Sequence, residues 1–182
     1  PLRRAMDGLR DSADILFERE ARGLFADPWG ARNRYIEVFF DRSRASPAAF
    51  MEREAGRGLS PEEMVKGLRL MELQLNLLMM YTSCGWFFDE ISGIETIQVM
   101  SYAARALELC GRLYQGEDLR TPFLELLEGA PSNIAEFRNG RRVFDIFVAP
   151  AASDLMRAGA NHALSTLFDR EESGAGGQAE TL

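Results

Sequence analysis

Trp86, Asp89 and Glu90, within the stretch "GWFFDE", set an aromatic plane beside two carboxylates. That pairing suits a carbohydrate site, because sugar hydroxyls need acceptors while the apolar face of a pyranose packs on an aromatic ring. The same residues have a plain structural reading. A tryptophan at a turn is commonly core or interface, and two adjacent acids are commonly a solvated loop tip. Burial separates the two. Enclosure of Trp86 by Leu78, Phe87 and the following helix means a structural elbow, and an open groove means a site.

Little other chemistry is offered. The chain has one histidine, His162 in "AGANHALSTLF", which excludes a His-rich zinc site, and on a half-apolar helical face a lone histidine is more often packed than catalytic. No GxSxG, Walker loop or GxGxxG is present, and neither a metal nor a cofactor is expected. Cys84 and Cys110 form no metal-like or redox-like pair and no disulfide framework, which points to a reducing, cytoplasmic setting.

The elements that must position the "GWFFDE" stretch are helical. Leu2, Met6, Leu9, Ala13, Leu16 and Leu24 recur at helical spacing and predict an amphipathic helix over Leu2–Leu24. Asp27 then Pro28 reads as an N-cap followed by proline, opening a second helix through Phe40, and Ser46 then Pro47 repeats the device for a short helix ending near Gly56. Ser60, Pro61 and Glu63 spell a capping box at the start of a long helix. Its wet stripe of Glu62, Lys66, Arg69, Glu72 and Asn76 stops at Asn76, so Leu77, Leu78, Met79 and Met80 predict an end buried on every side.

Ser92 with Glu95 spells a second capping box for the next helix, whose polar stripe of Glu95, Gln98, Arg105, Glu108 and Arg112 opposes a small-residue face of Ala103, Ala104, Ala106 and Gly111. Beyond Gly116 shorter helices are expected over Pro122–Glu128, Ser132–Val148 and Ser153–Phe168. The "NG" at Asn139 and Gly140 either interrupts the second of these or turns a hairpin, since "RRVFDIFV" alternates tolerably. No repeat of roughly 20 to 50 residues suggests a solenoid. The fold class is all-α: one helical bundle domain of about seven or eight helices over residues 1–170, followed by a disordered tail over 171–182.

Composition bounds the function classes. A chain of 182 residues, 46% hydrophobic, is long enough for one well-buried core. With 21 basic against 28 acidic residues its net charge is −7, which argues against nucleic-acid binding, although Arg138, Arg141 and Arg142 cluster locally among acids. The longest apolar run, Leu75 to Tyr81, falls far short of the roughly 20 residues a membrane span needs. The chain starts at Pro1 and ends in the polar "EESGAGGQAETL", so both ends read as edges of something longer.

The stretch "MYTSCGWFFDEISGIETIQVMSYAARALEL" resembles the signature of domain of unknown function 3536, a helical domain on the C-terminal side of the catalytic barrel in proteins similar to glycoside hydrolase family 57. "LFADPWGARNRYIEVFFDRS", "LRLMELQLNLLMMYTSCGWFF" and "RRVFDIFVAPAASDLMRAGANHALSTLF" extend the resemblance from about Leu2 to Phe168. The resemblance implies a fragment of a longer polypeptide that is a retaining, α-glucan-active glycoside hydrolase. The glutamate nucleophile and aspartate acid lie on the absent barrel, so no catalytic residue is expected in this chain and it is expected to be inactive alone. Its implied partners are that barrel and an α-glucan, with no nucleic acid and no membrane. Family 57 also reaches its site from the helical domain, through a tryptophan that follows a Ser-Asp pair. "SCGWFFDE" is similar in placing Trp86 ahead of further aromatics, but Gly85 stands where the aspartate belongs. Trp86, then Asp89 and Glu90, are the candidate substrate-binding residues, and a structural or interaction module without sugar contact is the rival reading.

Overall fold

A computed structural model describes residues 1–41, 43 and 45–151. The helix expected over Ser153–Phe168, with His162, and the tail over 171–182 lie outside the described residues. What is described is all-α, and among the described residues the one β feature is an isolated antiparallel bridge between Pro131 and Asn139.

Helix α1 spans Leu2–Ala21 and buries Met6, Leu9, Ala13, Leu16 and Phe17. Leu24 lies beyond its end, buried, with its N–H on the Ala21 carbonyl at 2.9 Å. Helix α2, Pro28–Arg34, is capped by Asp27, whose Oδ1 accepts from the Gly30 N–H at 3.0 Å. The helix expected to run on to Phe40 breaks at Tyr35 and resumes as α3, Ile36–Phe40.

Helix α4 spans Ser46–Ala55 with Ala45 in the N-cap position and no side-chain cap bond, so Ser46 does not repeat the role of Asp27. It ends where predicted, at Gly56, whose φ of +65° is the left-handed conformation glycine adopts without a Cβ penalty. The expected capping box forms at α5, Pro61–Met79: Ser60 Oγ accepts from the Glu63 N–H at 3.2 Å, and Glu63 Oε2 accepts from the Ser60 N–H at 2.9 Å. Arg57 pairs with the same carboxylate at 2.7 Å and, with the Ser60 N–H, holds it down at about 2.

Helix α6, Ile94–Leu113, makes its most extensive contact with α5. Ala103, Ala104 and Ala106 are buried as the small-residue face predicts, whereas Gly111 faces open space. Helix α7, Arg120–Glu128, rests on α1. Helix α8, Gly140–Val143, widens into a π turn over Phe144–Val148. There the Ala149 N–H reaches the Phe144 carbonyl. A widened turn suits the approach to Pro150, which has no N–H to donate and whose ring crowds the preceding turn.

The "NG" is a helix start. Asn139 Oδ1 accepts from the Arg142 N–H at 3.0 Å, and no hairpin forms. Two further expectations are corrected. Gly93, not Ser92, is the N-cap of α6, and Ser92 and Glu95 form no capping box because the Ser92 N–H is taken at 2.8 Å by Glu90 Oε1. The end of α5 is not buried all round either: Leu77 and Met80 are enclosed, but Leu78 is 50% exposed.

The core runs continuously through α1, α5, α6, α7 and the π turn, with Phe17, Met71, Leu73, Met100, Phe123 and Phe144 almost wholly enclosed. Among the described residues no helix is long and apolar enough to cross a membrane.

Candidate functional site at the α5–α6 elbow

The chain leaves α5 through Met80, Tyr81 and Thr82 and tightens into a 3-10 turn over Ser83–Trp86. Thr82 fastens the exit, its hydroxyl donating to the Met79 carbonyl at 3.0 Å while its own carbonyl accepts the Gly85 N–H at 3.2 Å. Gly85 is buried flat against α6. A Cβ there would stand 2.3 Å and 2.9 Å from the two γ-methyls of Val99, closer than packing allows. This is the physical reason an aspartate cannot occupy the position in this chain.

Trp86 is partly buried. Its Nε1 donates to the Met80 carbonyl at 3.1 Å, so the indole's one polar atom is satisfied within the turn. Its ring lies parallel to Tyr81, with centroids 6.2 Å apart and planes inclined by 10°. The Trp86 side chain packs against the core, whereas Leu78 and Phe87 are 50% and 81% exposed and Phe88 and Ile94 are 57% and 78% exposed.

A polar network from α1 meets this aromatic pair. Tyr81 donates its hydroxyl to Asp7 Oδ1 at 2.7 Å, and the same oxygen accepts Arg10 Nη1 at 3.1 Å and Arg3 Nε at 3.2 Å. The Arg3 guanidinium lies 4.5 Å from the Tyr81 ring centre and 5.1 Å from that of Trp86, within cation–π range of both. The Tyr81 hydroxyl holds the Asp7 carboxyl below its ordinary value, helped by the charges of Arg10 and Arg3 against the opposing push of burial. Burial, then the bond to Asp7, drives the Tyr81 phenol up, so it stays protonated as a donor. The elbow is thereby tied to α1 by charge-assisted bonds.

The two candidate carboxylates part company. Glu90 Oε1 accepts the Ser92 N–H and the Ser132 hydroxyl, both at 2.8 Å, and Oε2 accepts the Asn133 N–H at 2.6 Å. Burial alone would raise this carboxyl, but the hydrogen bonds from Ser92, Ser132 and Asn133 outweigh it and hold it at about 2. Glu90 thus clasps the elbow to the loop over residues 131–139. Asp89 lies exposed, with no hydrogen bond or ion pair among the described residues. Neither forms a hydrogen bond or ring contact with Trp86 among the described residues. Tyr81 and Arg3, which meet the Trp86 ring, and Asp7 and Arg10, which reach Tyr81, are site residues that the sequence did not single out, although Arg3, Asp7 and Arg10 fall on one helical face by their spacing of four and three. Among the described residues no cluster of three or more histidine, cysteine, aspartate or glutamate side chains could hold a metal ion.

No curated protein and no solved structure matches the chain. The family model described as a domain of unknown function, DUF3536, matches residues 1–178, nearly the whole sequence. By that match the chain belongs to the DUF3536 family.

Proposed function

We propose that this chain is the helical accessory domain of a glycoside hydrolase family 57-like polypeptide, packing on its catalytic barrel and completing the α-glucan cleft with Trp86. The carrying observation is the state of Trp86. Its indole N–H is satisfied by Met80, and the ring lies partly buried, parallel to Tyr81, at an elbow where Leu78, Phe87, Phe88 and Ile94 are exposed. A ring so held is fixed in place with part of its surface open to solvent, and packing on the apolar face of a sugar is the use such a surface has at a cleft. The substrate class comes from the resemblance of the elbow sequence to the region beside a family 57 barrel, since the family that the chain matches is described by no activity. The exposed, unpaired thiol of Cys84 fits a cytoplasmic location.

A second reading keeps the docking and omits the sugar. It is favoured by the shortage of polar groups on the elbow itself, since Gly85 replaces an acid and both oxygens of Glu90 are engaged. In that reading Leu78, Phe87, Phe88 and Ile94 simply bury against the barrel.

Trp86→Ala in the polypeptide carrying both domain and barrel separates the two. The cleft reading expects α-glucan turnover to fall about tenfold or more, the equivalent of about 1.4 kcal/mol of lost binding, with the melting temperature held. Unchanged kinetics would leave the structural module standing.

A further inference from the structure

We propose that Asp7 and Arg3, on α1, form the polar half of the same subsite and bind adjacent sugar hydroxyls while the part of the Trp86 ring left open beside the Arg3 guanidinium packs on the sugar. This rests on the α-glucan reading and moves the hydroxyl contacts away from Asp89 and Glu90.

The argument begins with which atoms already have partners. Asp7 Oδ1 carries three donors, the Tyr81 hydroxyl, Arg10 Nη1 and Arg3 Nε, whereas Oδ2 accepts from none among the described residues. The Asp7 side chain is 35% exposed, so Oδ2 is an acceptor with access to solvent. Arg3 is engaged through Nε alone, its two Nη groups have no partner among the described residues, and its side chain is 59% exposed. A single-oxygen acceptor and a two-pronged donor therefore stand side by side, one salt bridge apart at 3.2 Å.

Vicinal hydroxyls of a pyranose want this arrangement, because each can donate to a carboxylate oxygen and accept from a guanidinium prong. The aromatic plane completes it. The same Arg3 guanidinium lies 5.1 Å from the Trp86 ring centre, and Tyr81 links the two halves by stacking on Trp86 and donating to Asp7. Both polar side chains are held in place before a ligand arrives, Asp7 by three bonds to one oxygen and Arg3 by the ion pair and two ring contacts. Preorganisation of this kind lowers the ordering cost of binding. By contrast Glu90 has both oxygens taken by the turn at Ser92 and the 131–139 loop.

The test is binding of maltoheptaose to the purified chain, followed by titration calorimetry, for the wild type and for Trp86→Ala, Asp7→Asn, Arg3→Met and Asp89→Ala. Loss of one charge-assisted hydrogen bond is expected to weaken binding about 10-fold for Asp7→Asn and for Arg3→Met. Trp86→Ala should abolish it and Asp89→Ala should leave it unchanged. Asp7→Asn keeps an acceptor for Tyr81 at Oδ1 and turns the other position into a donor. Should that variant melt early, Arg3→Met decides, because the Arg3 side chain is mostly exposed. Arg3→Lys keeps the charge without the fork and should bind no better than Arg3→Met, which a purely structural charge role would not produce. If Trp86→Ala loses binding while Asp7→Asn and Arg3→Met bind like wild type, the assignment of the polar half is overturned and the glucan reading survives. If the wild type does not bind by itself, the same variants are titrated in the polypeptide that carries the barrel, and if Trp86→Ala binds like the wild type in either form, the glucan reading fails and takes the assignment with it.

Discussion

Glu90 and Asp89 are neighbours of the same chemistry, and the fold gives them opposite roles. Glu90 carries three hydrogen bonds to both sides of a junction, so Glu90→Gln should cost about 1 to 3 kcal/mol near neutral pH by weakening the bonds to Asn133 and Ser132. The pH dependence follows from the direction of the shift. The carboxyl is depressed from 4.5 to about 2, so its contribution is fully present above about pH 4.5 and is lost as the pH falls toward 2. Urea melts across that window should show the gap between wild type and Glu90→Gln closing as acid is added, and a constant gap would show that the charge is not what stabilises the clasp. The sequence could not separate the two acids, because the partners that distinguish them lie 42 and 43 residues away. Gly85 was legible only as a departure from a motif. Its cause, the Val99 methyls one turn into α6, is a tertiary contact that no local spacing announces.

At the scale of elements, the signals that held were the ones whose partners lie within a single turn. Ser60 and Glu63 exchange bonds three residues apart, so the capping box could be read directly and appears as written. Ser60→Ala should lower stability by about 1 kcal/mol, seen as a shifted denaturation midpoint at unchanged slope. A midpoint that stays put would mean that Arg57 alone secures Glu63 at the start of α5. Ser92 and Glu95 have the same spacing and form no box, because Glu90 reaches the Ser92 N–H first and moves the start of α6 to Ile94. Asn139 and Gly140 show the same competition. A dipeptide able to turn a hairpin caps a helix instead, and the following "RRVFDIFV" buries Val143, Phe144 and Val148 at helical and π spacing where alternation would have served a strand. The helical class was legible in the sum of these patterns, while the breaks at Tyr35 and the π turn depend on local crowding that periodicity averages away.

At the scale of the molecule, the uncovered part of the elbow is what distinguishes its two possible occupations from a finished surface. The long α5 was expected to end fully buried, and the structure covers Leu77 and Met80 but leaves Leu78, Phe87, Phe88 and Ile94 in solvent. Exposed apolar side chains gathered where two helices meet favour association, because removing each Å² of apolar surface from water is worth about 25 cal/mol. The purified chain should therefore self-associate as its concentration rises. Sulfate should strengthen the association twice over, since it promotes apolar burial and screens the net charge of −7 that keeps copies apart. Phe87→Ser with Phe88→Ser should suppress the association in sedimentation velocity and leave the melting temperature nearly unchanged, because side chains 81% and 57% exposed contribute little to the folded core. If the proposed docking on a barrel holds, the same double substitution in the polypeptide carrying both should loosen that junction and lower the temperature at which the two parts separate. If it instead unfolds the chain by itself, the elbow belongs to the core of this domain, and neither the docking reading nor the cleft reading has a surface to use.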